Sequence, residues 1–314
     1  MKKVITIGEI LVEIMATEPG DGFLEPIPLV GPFPSGAPAI FIDQVAKLGQ
    51  PCGIIACVGN DDFGRVNTRR LARDGVDVSA IATHPELPTG SAFVRYRADG
   101  SRDFVYNIAH SAAGAIAPSP ATDALIASAD HLHVMGSSMS TPAIVALIAT
   151  ATEAIHASGG TVSFDPNIRK EVLATPGTRE SLERVLATTD LFLPSGDELY
   201  LFSPAEDEAT AARALLARGI RTVVVKQGAA GASLHDASGA LAAPAFAVEE
   251  VDPTGAGDTF AATFVTHWLR GTPPAQALRL ANASGALAVT RKGPMEGTST
   301  ADRLEAFLER QHTP

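Results

Sequence analysis

Short apolar runs alternate with longer segments of helical periodicity along most of the chain. Runs with the length and composition of buried strands lie at residues 4–10, 52–58, 131–135, 161–165, 191–193 and 222–226. Segments whose apolar positions predict helices lie at residues 38–48, 63–74, 142–157, 178–187, 206–217, 257–270 and 274–290. This alternation predicts βαβ units, and therefore a mainly parallel sheet with helices on both faces.

One region interrupts the alternation. Residues 91–98 and 102–108 are two strand-like runs on either side of Asp99-Gly100, a dipeptide typical of tight hairpin turns. Alternation places Ala92, Val94 and Tyr96 on one face of the first run. The pattern alone leaves open whether this hairpin decorates the edge of the main sheet or belongs to a second, smaller sheet.

The composition favours a globular protein with a large core. The chain has 314 residues, of which 46% are hydrophobic and 19% charged, so disorder is not expected. A formal net charge of −11 gives no electrostatic case for binding nucleic acid or an anionic membrane. Gly8 and Glu9 interrupt the first apolar run too early for a signal peptide, and no run approaches membrane-spanning length. We therefore expect a cytoplasmic protein.

The cysteines and one histidine pair have structural interpretations. Cys52 and Cys57 flank a predicted strand and would lie about 16 Å apart along it, too far for a disulfide. We expect both to be buried thiols. His131 and His133 alternate on one strand face, as in a metal site, but no third ligand is near in sequence, so we favour a role in the core.

A glycine-rich turn leads directly into an alanine-rich helix at residues 252–260, which read Asp-Pro-Thr-Gly-Ala-Gly-Asp-Thr-Phe. Gly255 and Gly257 would let backbone N–H groups approach a phosphate, and the positive end of the helix dipole favours negative charge there. Asp258 has two interpretations. It would stabilise the first helical turn as an ordinary carboxylate, or act as a base where a substrate hydroxyl meets a phosphoryl group.

This string resembles the C-terminal signature of the ribokinase-like (PfkB-type) carbohydrate kinases, and the motif style is closest to fructokinases, tagatose kinases and 2-keto-3-deoxygluconate kinases. The resemblance implies a three-layer α/β/α fold with a mainly parallel central sheet and a small β-sheet lid. It also implies that Asp258 deprotonates the acceptor hydroxyl, while Gly255, Ala256 and Gly257 hold the transferring phosphoryl group.

The resemblance covers the whole chain, so it predicts a single kinase domain over residues 1–314. The lid would be formed by about residues 10–34 and 88–110, with strands at 23–25 and 27–30 beside the hairpin. In this family the lid closes over the sugar and often forms a dimer contact. We therefore expect a homodimer through the lid.

The N-terminal signature departs from the family pattern. Residues 35–40 read Ser-Gly-Ala-Pro-Ala-Ile, where Gly-Gly-Ala-Pro-Ala-Asn is usual, so Ile40 replaces an asparagine that would bond the substrate. Glu13 stands where aspartate is common. Residues 165–169 resemble the Asp-Pro-Asn-x-Arg of fructokinases and 2-keto-3-deoxygluconate kinases, although they could merely begin the next helix. The implied sugar contacts are Glu13, Gly36, Ala37, Tyr106, Asn167, Arg169 and Asp258.

The nucleotide motifs follow in the expected order. Residues 195–198 match Asn-x-x-Glu, with Ser195 in the asparagine position and Glu198 retained to place magnesium through water; the two could also form a helix capping box. Lys226 could instead be a solvated lysine at a strand end, and residues 228–231 a hairpin turn. The implied ATP contacts are Ser195, Lys226, Gly228, Gly231, Thr254, Gly255, Gly257 and Asn282. The cofactors would be ATP and Mg²⁺, with a requirement for a monovalent cation left open.

The expected activity is phosphoryl transfer from ATP to an alcohol group of a small sugar. We favour a neutral ketohexose, tagatose or fructose, because residues 105–108 lack the arginine of the Tyr-Tyr-Arg run common in 2-keto-3-deoxygluconate kinases. Alternatives are 2-keto-3-deoxygluconate, a nucleoside such as adenosine, and a nonenzymatic sensor, which the departures at Ile40 and Ser195 motivate. The expected partners are the sugar and ATP, with no nucleic acid and no membrane.

Overall fold

The computed structural model describes residues 1–20, 22–97, 102–108, 110–168 and 177–311. Its strands are β1 (Val4–Ile7), β2 (Leu11–Ala16), β3 (Leu29–Ser35), β4 (Cys52–Gly59), β5 (Ile81–His84), β6 (Gly90–Tyr96), β7 (Arg102–Asn107), β8 (His131–Met135), β9 (Thr161–Asp165), β10 (Leu191–Phe192), β11 (Thr222–Lys226), β12 (Ala232–Asp236) and β13 (Gly239–Ala243). Its α-helices are α1 (Ala37–Lys47), α2 (Asp62–Arg73), α3 (Pro120–Ala127), α4 (Pro142–Ala157), α5 (Thr178–Leu186), α6 (Glu198–Phe202), α7 (Glu208–Ala217), α8 (Ala256–Leu269), α9 (Pro274–Ala288) and α10 (Ala301–Arg310).

The large sheet has nine strands in the order β13-β12-β11-β10-β9-β8-β1-β4-β5. Neighbours from β11 to β5 pair in parallel, and β12 and β13 extend one edge as antiparallel strands. Every residue of β1, β4, β8, β9 and β11 is buried. Burial on both faces explains why these strands are continuous apolar runs in the sequence.

Helices cover both faces of this sheet and divide the core in two. On one face, Ile55 and Cys57 of β4 belong to a cluster that includes residues of α3, α4, α5 and α7. On the other face, Ile54 and Ala56 belong to a cluster with residues of α1, α2, α8 and α9. The predicted three-layer ribokinase-like fold is confirmed.

The small sheet has four strands in the order β3-β2-β6-β7. The β6–β7 hairpin pairs Ser91 with Asn107 and Tyr96 with Arg102, and the predicted turn at Asp99-Gly100 lies outside the described residues. Strand β2 pairs in parallel with β6 and antiparallel with β3. The hairpin therefore belongs to a separate sheet rather than to an edge of the large one.

Two strand predictions near the N-terminus were wrong. The apolar run at residues 4–10 is divided, because β1 ends at Ile7 and the chain enters the small sheet at Leu11. A Cβ atom at Gly8 would lie 2.1 Å from Ser138 Oγ, so the chain leaves the large sheet at a close approach that glycine permits. Residues 23–25 are not a strand, and the second strand of the small sheet, β3, begins at Leu29.

The predicted histidine and cysteine roles agree with the structure. His131 Nδ1 lies 2.8 Å from Thr161 Oγ1, its Nε2 lies 2.8 Å from Ser163 Oγ, and His133 stacks on Phe41 at 3.7 Å between ring centroids. Burial lowers the pKa of His131 to about 3. Both cysteines are buried free thiols. Within the described ranges, no three His, Cys, Asp or Glu side chains form a metal-binding group, and no helix could cross a bilayer.

Candidate active site

The glycine-rich turn forms an open helix N-terminus. Gly255 caps α8 with a φ of 80°, in the left-handed region that favours glycine. A Cβ atom there would come within 2.5 Å of Pro294 O, so the turn also lies tightly against the loop that follows α9. The first N–H groups of an α-helix have no acceptor within the helix. This turn can therefore receive an anion, and its contact with the transferring phosphoryl group stays a prediction.

Asp258 lies in the first turn of α8 and meets the loop that follows β9. Its side chain is buried, and Asn167 Nδ2 donates a hydrogen bond of 3.0 Å to Asp258 Oδ1. Asn167 has a φ of 41°, a left-handed conformation that asparagine tolerates. The carboxyl group of Asp165 accepts from Asn167 N at 3.2 Å. One oxygen of the predicted base is thus held by a residue that lies 91 positions earlier in the sequence.

A cleft of about 1310 Å³ opens between the small sheet and the N-terminus of α8. Most of the predicted sugar-contacting residues line it, namely Glu13, Gly36, Ala37, Tyr106, Asn167 and Asp258. Thr254 and Gly255, predicted to contact ATP, border the same cleft. Arg169, also predicted to face the sugar, lies outside the described residues. The structure therefore places residues predicted to contact the sugar and residues predicted to contact ATP around the same cleft.

Two buried carboxyl groups of the cleft are held by serine hydroxyls. Ser35 Oγ donates to Glu13 Oε1 at 2.7 Å, so the serine that departs from the family pattern positions the glutamate that also departs from it. Ser137 and Ser138 donate to the two oxygens of Glu9 at 3.0 and 2.8 Å. Glu9 was not among the site residues predicted from the sequence. Its place after the carboxyl end of β1, where ligand sites of parallel sheets gather, is the signal that could have identified it.

Ile40 forms an apolar wall below the glycine-rich turn. It lines the cleft but is only 2% exposed, because its side chain belongs to the core between the sheet and α8. Its Cγ2 atom lies 3.2 Å from the position that a Cβ atom on Gly255 would occupy. Replacement of the usual asparagine by Ile40 therefore supports the turn by packing.

Lys226 is buried at the end of β11 and forms an ion pair with Asp165. Burial alone would lower the pKa of Lys226, but the carboxylates of Asp165, Glu198 and Asp258 outweigh it and raise the pKa. The interpretation as a solvated strand-end lysine is therefore wrong. A Cβ atom on Gly257 would lie 3.7 Å from Lys226 Nζ, so the ammonium group lies directly beside the glycine-rich turn.

Glu198 joins two loops through both of its oxygens. Oε1 accepts from Ile168 N and Oε2 from Ser195 N, each at 2.7 Å. Burial and the nearby Asp165 raise the pKa of Glu198, against the opposing effect of Lys226. The bond to Ser195 N is the glutamate half of the predicted capping box. The helix, however, begins at Glu198 with Asp197 as its N-cap, so Ser195 is not the cap and lies exposed beside the site.

The remaining predicted nucleotide contacts lie at the antiparallel edge of the large sheet. Residues Gly228–Ala230 form a short 3₁₀ turn between β11 and β12, so this segment is a hairpin turn, one of the two alternatives from the sequence. Asn282, on α9, donates from Nδ2 to Ala243 O at 3.0 Å and to Pro244 O at 3.1 Å. Its amide thus anchors the chain after β13. Contacts of Gly228, Gly231 and Asn282 with ATP stay predictions.

The model of the pfkB family carbohydrate kinases matches residues 1–301. The chain belongs to the pfkB family of carbohydrate kinases. It is therefore a phosphotransferase with an alcohol group as acceptor, and the nonenzymatic alternative is not supported. A fructokinase of Klebsiella pneumoniae is 35% identical over 88% of this chain and 92% of its own length. A 2-dehydro-3-deoxygluconokinase of Thermoproteus tenax is 32% identical over 98% of this chain and 95% of its own.

A solved structure supports the fold of this pfkB-family kinase at higher identity. A protein of E. coli described as a ribokinase II, solved in complex with ATP and Mg²⁺, is 47% identical and superposes with a TM-score of 0.93. The match covers 99% of this chain and 100% of that one. Relatives with different named activities are thus similar to this chain over most of its length. These similarities do not distinguish among the candidate sugars.

Proposed function

We propose that this pfkB-family kinase transfers the γ-phosphoryl group of ATP to a hydroxyl of a neutral ketohexose, such as tagatose or fructose. The observation that carries the proposal is the position of Asp258. Its carboxyl group lies in the first turn of α8, one residue after the anion-binding glycines, and opens into the cleft that Glu9 and Glu13 also line.

The chemistry follows from this arrangement. Asp258 accepts the proton of the attacking hydroxyl, and the hydrogen bond from Asn167 fixes the carboxyl group toward the cleft. The backbone N–H groups of Gly255, Ala256 and Gly257 stabilise the negative charge on the transferring phosphoryl group. Holding both substrates in the reacting orientation supplies much of the rate acceleration, because phosphoryl transfer requires little covalent chemistry from the protein.

ATP would lie along the carboxyl ends of the large sheet, against Lys226, Ser195 and the turn after β11. Mg²⁺ usually keeps several water ligands and binds phosphate oxygens with few protein carboxylates. Glu198 fits such a site, since both of its oxygens already accept backbone N–H groups and water can bridge to the ion. When bound, Mg²⁺ neutralises charge on the phosphates. A monovalent cation requirement stays open.

The charges of the cleft favour a neutral sugar. The carboxyl groups of Glu9 and Glu13 can accept hydrogen bonds from sugar hydroxyls, whereas they would repel a sugar acid. Arg95, Arg97 and Arg102 line the cleft, but the first two pair with Asp103, and Arg102 pairs with Asp252 and Thr254. These arginines are the observation that favours 2-keto-3-deoxygluconate as the second candidate, in line with the named activity of the Thermoproteus tenax relative.

We propose that the small sheet acts as the lid of a single domain and excludes water from the transfer. The edge strand β7 also supports a homodimer through the lid, because its Val105 is 57% exposed. Sedimentation equilibrium of the wild type and of Val105→Lys tests this contact. A monomeric wild type would contradict it. A cytoplasmic location stays the prediction made from the sequence.

An assay of ADP release over a panel of acceptors tests the substrate. The panel contains tagatose, fructose, ribose, 2-keto-3-deoxygluconate and adenosine, each with ATP and Mg²⁺. We expect the highest kcat/KM for a ketohexose, and Asp258→Asn prepared in parallel controls for contaminating kinases. A kcat/KM for 2-keto-3-deoxygluconate above that of both ketohexoses would contradict the neutral substrate while leaving the kinase mechanism intact.

A further inference from the structure

Arg102 connects the small sheet to the phosphate-binding turn. It is the first residue of β7, pairs with Tyr96 of β6, and carries its guanidinium 5.7 Å from the centroid of the Phe104 ring. Arg102 Nη1 donates a hydrogen bond of 2.6 Å to Thr254 Oγ1. Thr254 is 152 residues away in sequence and directly precedes Gly255. The contact therefore reaches from the lid strand to the turn that receives the phosphoryl group.

Thr254 is in turn fixed from below by a buried carboxyl group. Thr254 N and Thr254 Oγ1 both donate to Asp252 Oδ1, at 3.0 and 2.7 Å. Asp252 is 0% exposed, and its other oxygen accepts from Gly293 N at 3.0 Å. The Thr254 hydroxyl thus donates to Asp252 and accepts from Arg102, which itself lies 3.8 Å from Asp252 Oδ1. A single hydroxyl joins the lid, the turn and the loop after α9.

This hydrogen-bond network limits the movement of the proposed anion-binding turn. The turn has little freedom on its inner side, because Gly255 already lies against Pro294 O. On the cleft side, Arg102 contributes a charged donor to Thr254, and hydrogen bonds with one charged partner are stronger and shorter than neutral ones. Small displacements of groups that stabilise transferring charge reduce the rate strongly.

We propose that Arg102 is a positioning residue for phosphoryl transfer, which acts through Thr254 to hold the N–H groups of residues 255–257 in place when the lid strand lies over the cleft. The role is distinct from binding the sugar, because Arg102 acts on the turn. The inference rests on the kinase activity and on the role assigned to the turn, and it does not depend on which sugar is phosphorylated.

The test combines kinetics with amide hydrogen exchange on Arg102→Gln, Thr254→Val and the double variant. With the best acceptor of the panel, we expect Arg102→Gln to lower kcat about tenfold or more while the KM for ATP changes less than about twofold. Because both residues act through one contact, the double variant should lose no more than the more impaired single variant. Amides of residues 252–258 should exchange faster in Arg102→Gln, a measurement that needs no acceptor.

Arg65→Gln is the matched control, since Arg65 forms an exposed ion pair with Asp62 on α2 and does not line the cleft. It should leave kcat and the exchange of residues 252–258 unchanged. The proposal is overturned if Arg102→Gln keeps more than about half of the wild-type kcat, if the effects of the two single variants multiply, or if exchange in residues 252–258 is unchanged. A failure of every acceptor in the panel leaves the exchange result to decide, so the two proposals fail separately.

Discussion

The large and small sheets build their parts of the site in different ways. In the large sheet, β9 and β11 are buried on both faces, and the charged groups at their ends, Asp165 and Lys226, are buried against each other. In the small sheet, β7 runs from half-buried at Arg102 to exposed at Asn107. Helices cover one sheet on both sides, whereas the other is open along one edge.

This difference indicates where substitutions should affect stability and where they should affect binding. Removing one member of a buried ion pair leaves the other charge uncompensated in the core, which is strongly destabilising. A side chain of the open sheet has fewer packing partners, so its loss should leave the fold intact and change the cleft instead.

The largest effect is expected at the junction of the two regions, at Asp258. Asp258→Asn keeps the size of the side chain and an oxygen that can accept from Asn167 Nδ2, but it cannot take up the proton. We expect kcat to fall by about 10²–10⁴-fold, or about 3–5 kcal/mol of transition-state stabilisation, with near-normal Tm and ATP affinity. Steady-state kinetics with both substrates at saturation measure this.

A matched control for this variant is Asp62→Asn. Asp62 also lies in the first turn of a helix, α2, but it is exposed and is not among the residues that line the cleft. As a helix-stabilising carboxylate it contributes about 0.3–1 kcal/mol at most, with no effect on turnover. Retention of more than about a tenth of the wild-type kcat in Asp258→Asn would show that another group takes the proton.

Removal of the hairpin should separate the two regions. Deleting residues 90–109 joins positions that already lie side by side, because Ser91 pairs with Asn107. We expect a folded protein that binds ATP with unchanged affinity, but whose KM for the sugar rises at least about tenfold. Calorimetric titration measures the affinity for ATP, and steady-state kinetics measure the KM for the sugar. An unchanged sugar KM would remove the small sheet from the mechanism.

The covered sheet should instead make stability depend on pH. His131 is fully buried and its pKa is about 3, compared with about 6.5 in the unfolded chain. Between these values the unfolded chain binds more protons, so the free energy of unfolding falls as the pH is lowered from about 6.5 toward 3. His131 alone contributes up to about 1.4 kcal/mol per pH unit in this window.

Urea unfolding of the wild type and of His131→Gln at pH values from 7 to 4 measures this contribution. Glutamine can still bond the hydroxyls of Thr161 and Ser163, but it does not titrate. The variant should be less stable at pH 7 and lose stability less steeply on acidification. Equal slopes for the two proteins would show that the histidine is not responsible.

The smallest effect is expected from the bond that positions Glu13. Ser35→Ala removes the hydroxyl that donates to Glu13 Oε1 and leaves the buried packing nearly unchanged. A hydrogen bond of this kind contributes about 0.5–1.5 kcal/mol, so the sugar KM should rise about 2–10-fold while the KM for ATP stays constant. If both KM values rise together, the substitution has disturbed the fold rather than the sugar side.

Local patterns predicted the main features of the fold. The helix predicted at 142–157 is α4, Pro142–Ala157, and those predicted at 38–48 and 257–270 are each displaced by one residue. Helices α3 and α10 were missed, although Ser119 and Thr300 cap them through their side chains. Both are short, and their first turns carry a proline or charged residues in place of a clear apolar period.

The first strand shows why the remainder could not be predicted. Residues 4–10 form one apolar run, yet β1 ends at Ile7, and Ser138 and Pro38 lie close against Gly8. The apolar pattern predicts that these residues are buried, and burial is compatible with a place in either sheet. Where the chain changes sheets depends on segments that are distant in sequence, such as Ser35 and Gly90, which pair with Leu11, and Ser138, which lies against Gly8.

The sequence alone determined the alternation of strands and helices, the glycine-rich turn and the carboxylate after it, because periodicity and helix N-terminal chemistry act within a few residues. Only the tertiary structure decided which side chains meet. Ser35 reaches Glu13 across 22 residues, Asn167 reaches Asp258 across 91, and Arg102 reaches Thr254 across 152. Such contacts exist only after the core has placed their backbones, since no local pattern encodes the distance between separate segments.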